Sequence, residues 1–515
     1  MEISLKPRDY QQKIFETCIK ENCLVVLPTG TGKTLIALML AVERFKQFPL
    51  EKILILAPTR PLVDQHFNSF KKILPDSWAD MQIFTGKTPA EQRKKIWQTA
   101  EFVFSTPQCI ANDLKNHLYS LEDVSLLIED ECHRCLKNYS YTFIAKKYQE
   151  QAKNQRILGL TASPGSDKTT ISKVCENLGI KAVEIRTRES DDVRPYLQEL
   201  EFEKINVDFP PEFEEIRQLL KGIYDNKVDE LRNRKVLFTF ASKKNLLDLQ
   251  GKLIRMLSSG DKNPNMMMAM SVCAQAIKLQ HALELLETQT ISAFNAYMKN
   301  LFEQAQDKKS KGVQRLVKDK RFAKAYTLSL TLDFEHPKLK KLSEIIEEQI
   351  NKNPNSKVIV FSQYRETGKK ISETLDKIKG IKAQTFVGQT KKGEGKNATG
   401  LNQKEQKQII EDFSAGKINC LIATSIGEEG LDIPEVNEVI FYEPVPSAIR
   451  KIQRAGRTAR LMPGSLKILV TKNTRDQSYY YASGAKERKM HSAIDSIKKE
   501  MADKNGDKEK QGTLF

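Results

Sequence analysis

No stretch of this chain approaches the roughly 20 consecutive apolar residues of a membrane-spanning helix, which excludes a helical anchor. The opening residues, Met1-Glu-Ile-Ser-Leu-Lys-Pro-Arg8, lack the pattern of a secretory signal, so a cytoplasmic protein is expected. Cysteine is thinly spread: eight residues, of which only Cys132 and Cys135 form a CxxC. No second pair completes a zinc set, and free thiols in a reducing compartment are expected. Acidic residues are in deficit, 66 against 83 Lys and Arg, for a net charge of +17. That excess suits a polyanionic partner better than a neutral ligand. No internal repeat is visible. The 515 residues, 40% hydrophobic and 29% charged, suffice for about two to four globular domains.

Against these absences stands a strand-turn-helix pattern near the start. Cys23-Leu-Val-Val-Leu-Pro28 reads as a buried parallel strand and Leu35-Ile-Ala-Leu-Met-Leu-Ala41 as a helix. The turn between them, Pro28-Thr-Gly-Thr-Gly-Lys-Thr34, contains Thr29, Gly30, Thr31, Gly32, Lys33 and Thr34. Glycines let backbone N–H groups close on phosphate, and the helix N-terminus adds its dipole. Lys33 would reach the β- and γ-phosphates of ATP and the Thr34 hydroxyl would ligate Mg²⁺. The turn departs from the strict GxxxxGK[ST] pattern, because Leu27 stands at the first glycine position.

A second apolar strand, Leu126-Leu-Ile-Glu-Asp-Glu131, ends in carboxylates. Asp130 is placed to hold Mg²⁺, and Glu131 to orient or deprotonate an attacking water. His133 follows; it either couples this site to Thr161 or Gln453, or simply sits satisfied at a helix start. Gln453, Arg457 and Arg460 fall on one face of an expected helix. Arginine suits the charge that develops on a transferring phosphate.

Strand-like runs alternate with helices up to about residue 200 and again from about 336 to 472, so both parts read as parallel sheets covered by helices. Ligands of such sheets bind beyond the strands' carboxyl ends. The boundaries read as 1–200 for the first sheet domain, 201–332 for a helical insert with linking segments, 333–484 for the second sheet domain, and 485–515 for a tail, helical and then a flexible basic coil. In the insert, Lys308, Lys309, Lys311 and Arg315 crowd together. They form either a solvated face or a phosphate contact. The last residues, Gln511-Gly-Thr-Leu-Phe515, match only the start of a sliding-clamp-binding peptide, whose usual paired aromatics are missing.

With Thr161-Ala-Ser163, Val358-Ile-Val-Phe-Ser362, Gly427-Glu-Glu-Gly-Leu-Asp432 and Gln453-Arg-Ala-Gly-Arg-Thr-Ala-Arg460 added, the chain resembles a superfamily 2 helicase. Within that class it is most similar to the helicase part of archaeal Hef, a relative of the Fanconi-anaemia M translocase. Ser190-Asp-Asp-Val-Arg-Pro-Tyr196, Leu283-Glu-Leu-Leu-Glu-Thr-Gln289, Tyr364-Arg-Glu-Thr367 and Phe441-Tyr-Glu-Pro-Val-Pro-Ser-Ala-Ile-Arg450 carry that likeness. The resemblance implies an α/β fold with two RecA-like parallel-sheet motor domains and an all-helical, thumb-like insert between them. It assigns Arg8 and Gln11 to the adenine, and Gly430 and Asp432 to the nucleotide from the second motor domain. It assigns Thr59, Arg60, Thr85, Gly86 and Thr106 to nucleic-acid backbone contacts in the first motor domain, and Ser362, Tyr364, Arg365, Gly388, Gln389 and Thr424 in the second.

The implied activity is an ATP-dependent helicase or translocase on branched DNA, such as stalled forks and four-way junctions, in a nucleoid-associated setting. Full-length Hef adds an XPF-like nuclease region, which this sequence lacks. Cys132, in Asp-Glu-Cys-His133, replaces the family's usual alanine; RNA-sensor and Dicer helicases share that spelling. A duplex-RNA-activated ATPase is therefore the alternative. A passive branched-DNA scaffold leaves Glu131, Arg457 and Arg460 without a purpose, and a small-molecule kinase leaves the second motif set superfluous.

Overall fold

The computed structural model describes residues 6–512 except 76–77, 166, 260–262, 309, 389–399, 425–432, 448–454, 456–457 and 459–462, with side chains described only as far as residue 500. The first sheet contains β1 (Cys23–Val26), β2 (Lys52–Leu56), β3 (Met81–Phe84), β4 (Phe102–Ser105), β5 (Val124–Asp130), β6 (Ile157–Thr161) and β7 (Ala182–Ile185). Its order is β3-β4-β2-β5-β6-β1-β7, with every pairing parallel. The central strands are apolar on both faces because helices cover both. Leu24, Leu54 and Leu127 pack on one side; Val25, Ile53 and Ile128 pack on the other.

The second sheet contains β8 (Leu200–Val207), β9 (Val358–Phe361), β10 (Ala383–Phe386), β11 (Cys420–Ala423), β12 (Glu438–Phe441) and β13 (Gly464–Thr471). Its order is β10-β11-β9-β12-β13-β8, again all parallel. The sequence reading put residues 201–207 in the linking part of the insert. They instead form the edge of this sheet, with Leu200 opposite Gly464 and Val207 opposite Thr471. The chain thus enters the second motor domain, leaves it for the insert, and returns. Glu201, Phe202 and Glu203 are exposed, as an edge strand permits, and that polarity hid the strand.

Between β8 and β9 lies the helical insert: Pro211–Asn233, Lys243–Ser258, Pro264–Thr288, Ile291–Gln306, Lys311–Val317 and Lys320–Leu330. Its caps are legible in sequence. Ser242, Thr290 and Ser310 each accept a backbone N–H of the first helical turn, as favoured N-cap residues do. Leu279, Phe294, Met298 and Phe322 fill its main core.

The last helix, Arg475–Gly512, runs through the segment expected to be coil. It starts after β13, yet Met490, Ala493, Ile494 and Ile497 belong to the first domain's core. The tail therefore bridges the motor domains. Its start is fixed by Asp476, which pairs with Lys338 at 2.7 Å, both side chains being fully buried. Removing either partner would strand a buried charge. No helix of the described residues is long and apolar enough to cross a membrane.

His336, where the insert rejoins the second sheet domain, is fully buried. Its Nδ1 accepts the Lys338 N–H at 3.2 Å, and the Phe213 ring lies 5.7 Å away. Burial, helped by the Lys338 charge, holds its pKa well below the ordinary value. The unfolded chain therefore takes a proton below about pH 6.5 that the folded chain refuses. Stability should fall with pH there, by up to about 1.4 kcal/mol per unit from this group. His336→Asn, which keeps an acceptor for the N–H, should flatten that slope in urea titrations at pH 7.5 and 5.5; an unchanged slope would assign it to other groups.

Candidate active site

The phosphate-loop residues connect β1 to the helix Lys33–Gln47. Gly30 and Gly32 both have φ of +83°, a conformation that costs any residue with a Cβ. Gly32 caps the helix without a side-chain bond, so its first N–H groups face outward, the arrangement that receives phosphate. The loop is braced from behind. Tyr10 hydroxyl and Gln11 Nε2 donate to the Thr31 carbonyl at 2.6 and 3.0 Å, and Thr31 Oγ1 donates to the Pro28 carbonyl at 2.7 Å. Lys33 Nζ donates to the Leu27 carbonyl at 3.0 Å, and Thr34 lies in the first helical turn.

Gln11, expected at the adenine, has both ends of its amide engaged: Oε1 accepts the Arg8 N–H at 2.9 Å and Nε2 holds the loop. Arg8 lies 4.9 Å over the Tyr196 ring. Sequence reasoning assigned these two residues a ligand and missed their part in shaping the loop.

Asp130 ends β5 and is buried. Its Oδ2 lies 2.8 Å from His66 Nε2, and its Oδ1 accepts the Glu131 N–H at 3.0 Å. Burial pushes its pKa up, but the bond and charge of His66, with Lys33, outweigh burial and hold it below the ordinary value. An ionised, buried carboxylate beside a phosphate loop fits a divalent cation. His66 had no local signal in sequence, because it sits on a different helix, Arg60–Ile73.

Glu131 takes left-handed backbone angles, φ 50° and ψ 44°, which turn its side chain toward His133. His133 Nδ1 lies 3.3 Å from Glu131 Oε2 and 3.2 Å from Thr161 Oγ1. His133 is thus joined to Thr161 and sits in the short helix Cys132–Arg134; Gln453, the other expected partner, lies outside the described residues. From Thr161 the chain of contacts continues, since the Ser163 N–H donates to Thr161 Oγ1 at 3.0 Å and Ser163 Oγ donates to Met490 Sδ at 3.0 Å.

The expected nucleic-acid residues gather elsewhere. Thr59 and Arg60 follow β2, Thr85 and Gly86 follow β3, and Thr106 follows β4. These strands are neighbours at one side of the first sheet, while β5, β6 and β1 carry the phosphate site. Arg60 lies 3.7 Å from Asp64, and Gly86 faces open space. In the second sheet, Ser362, Tyr364 and Arg365 follow β9, Gly388 follows β10 and Thr424 follows β11, again on adjacent strands. Arg365 donates to the Gly388 carbonyl at 3.2 Å.

Tyr364 is placed differently from its neighbours. Its ring packs on the insert's core and lies 5.6 Å from that of His281. Beside it, Glu284 pairs with Lys243 at 2.5 Å. Burial pushes the Glu284 carboxyl up, but His281 and Lys243 outweigh it and hold it at about 2. Lys308, Lys311 and Arg315 are exposed on the insert. Gly430, Asp432, Gln453, Arg457, Arg460, Gln389 and Lys309 lie outside the described residues, as do residues 513–515 of the clamp-like terminus.

Three family models match: DEAD/DEAH box helicase over residues 8–171, Helicase conserved C-terminal domain over 337–462, and a helical bundle provisionally named for ATP-dependent RNA helicases over 212–336. The crystal structure of the Pyrococcus furiosus Hef helicase domain is similar at 46% identity and a TM-score of 0.68, covering 93% of this chain and 98% of that one. The chain belongs to the Hef helicase family. A Methanocaldococcus jannaschii protein, provisionally named an ATP-dependent RNA helicase, is 39% identical over 95% of this chain and 60% of its own length. The mouse Fanconi anemia group M protein homolog is 32% identical over 95% of this chain. This chain spans only 26% of that protein.

The tight loop makes one substitution diagnostic. A Cβ at Gly32 would stand 2.3 Å from Gln11 Nε2. Gly32→Ala should displace Gln11, leave the Thr31 carbonyl held by Tyr10 alone, and weaken binding of a fluorescent ATP analogue about tenfold, the equivalent of about 1.4 kcal/mol. Unchanged affinity would mean that Gln11 does not shape the loop.

Proposed function

We propose that this chain is an ATP-dependent DNA helicase or translocase that acts on branched DNA, including forks and four-way junctions. The observation that carries the reading is the separation along the first sheet. The phosphate-loop and carboxylate residues end β1 and β5, while the candidate strand contacts end β2, β4 and β3. One edge of one sheet can then hold the nucleotide and the nucleic acid side by side. Similarity to a Neurospora crassa protein named an ATP-dependent DNA helicase, 33% identical over 92% of this chain, supports the DNA assignment.

In this reading Lys33 and the loop N–H groups bind the β- and γ-phosphates of ATP. Thr34 and Asp130 hold Mg²⁺, which neutralises charge on the phosphates when bound. Glu131, steadied by His133, orients the attacking water and takes its proton. Gln453, Arg457 and Arg460 reach the phosphates from the second motor domain. Gly430 and Asp432 meet the nucleotide beside them. Closure of the two domains on ATP, and release after hydrolysis, moves the backbone contacts of one sheet relative to the other. Residues 308–315 supply phosphate contacts on the insert.

A duplex-RNA-activated ATPase is the second reading. Cys132 and the provisional name of the Methanocaldococcus relative favour it.

Lys33→Ala and Glu131→Gln should each lower ATP turnover at least about a hundredfold, and neither variant should separate a labelled DNA fork that the wild type unwinds. Near-normal hydrolysis by Glu131→Gln would remove Glu131 from the water-orienting role. Failure of the wild type to displace strands or move branch points would remove the helicase reading itself.

A further inference from the structure

We infer that the connector between helices Pro211–Asn233 and Lys243–Ser258 is a stacking platform for unpaired bases of the nucleic-acid substrate, with Phe238 and Phe240 as its rings. This inference rests on the proposed reading of the chain as a motor on branched DNA.

Phe238 is 83% and Phe240 81% exposed, unusual values for phenyl side chains. Slack does not explain them, because the connector is tied on both sides of the rings. Leu237 is buried among Val228, Leu231, Leu246 and Leu253. Lys235 turns the chain at φ +56°, and its N–H donates to the Arg232 carbonyl at 2.8 Å. Beyond the rings, Tyr224 hydroxyl donates to the Ala241 carbonyl at 2.6 Å. Asn245 Nδ2 and the Ser242 N–H both donate to the Phe240 carbonyl at 2.8 Å. Ser242 Oγ then caps the next helix, accepting the Asn245 N–H at 3.1 Å. The backbone is therefore held while both rings project into solvent.

Charge selects the ligand. Residues 232–244 contain Arg232, Arg234, Lys235, Lys243 and Lys244 and no Asp or Glu. Arg232 and Arg234 pair with Asp229 and Glu230 at the end of helix Pro211–Asn233, and Lys243 pairs with Glu284 of helix Pro264–Thr288, while Lys235 and Lys244 are exposed. Aromatic faces among cations are the chemistry of single-strand binding: each base offers a π-face, and cations hold the phosphates between bases. Phe240 also borders an open cleft toward the start of helix Arg475–Gly512. Both cations (Lys221, Arg475) and carboxylates (Asp225, Asp229) line that cleft, so the rings and not the cleft point to bases. Unpaired bases occur where a fork opens, and a rigid pair of rings there would hold separated strands apart.

The test compares the full chain with Phe238→Ala/Phe240→Ala and Phe238→Trp/Phe240→Trp. Fluorescence anisotropy would read binding to a DNA fork with unpaired arms and to a blunt linear duplex, at one salt concentration. The alanine pair should weaken fork binding about tenfold or more and leave blunt-duplex binding unchanged, and the tryptophan pair should bind forks at least as well as wild type. Equal fork affinity for wild type and the alanine pair would overturn the platform and turn the rings over to a protein partner. Equal losses on fork and blunt duplex would overturn it as well. A wild type that binds duplex RNA and not forked DNA would instead bring down the underlying DNA reading, and the inference with it.

Discussion

In a parallel sheet every strand delivers its carboxyl end to the same edge, and most candidate site residues of the two motor domains are arranged along two such edges. The backbone enforces this, because each strand must be reached by a crossover that starts where the last one ended. Polar residues that would be costly inside the sheet collect at the turns beyond it. The seven strands of the first sheet and six of the second thus form two rows of turns. Turns close to one another carry related chemistry: the glycine-rich loop and the carboxylates at β1 and β5, on either side of β6, and hydroxyls and amides at β2, β3 and β4.

The second constraint is how firmly the insert is attached to one motor domain. The Arg475–Glu287 pair at 2.6 Å, the Arg475 N–H on Glu287 at 3.0 Å and Gln289 Nε2 donating to Glu443 at 3.3 Å tie the junction. Tyr364 sits in the seam, its ring packed on the insert's core. The insert should move with the second domain as one body. The last helix makes the opposite connection, carrying the second domain's chain back to the first domain's core through Met490 and Ile494. Its contact with Ser163 places it at the end of the series Glu131, His133, Thr161 and Ser163, a line of contacts leading outward from the candidate site.

Much of this was legible in sequence, for physical reasons. Central strands such as Val358–Phe361 are buried on both faces and read as continuous apolar runs. The edge strands β3, β7, β8 and β10 escaped notice because an edge needs less apolar surface. Met81-Gln-Ile-Phe84 is only four residues long, and Leu200-Glu-Phe-Glu-Lys-Ile-Asn-Val207 loses its alternation at Glu203-Lys204, so neither carries a clear period-2 signal. The phosphate loop announces itself because its residues are contiguous. His66 on Asp130 and Met490 on Ser163 do not, since each pair joins residues distant in the chain. The end of the tail was taken for coil because its charged residues lack an apolar stripe, while the packed part of the same helix lies before it.

The central claim is that hydrolysis at this site is coupled to branched DNA. The most direct measurement is the ATPase rate with Mg²⁺ in the presence of equal nucleotide amounts of single-stranded DNA, duplex DNA, forked DNA and duplex RNA. If that coupling holds, forked DNA gives the strongest stimulation. Strongest stimulation by duplex RNA would contradict it and make the insert an RNA grip.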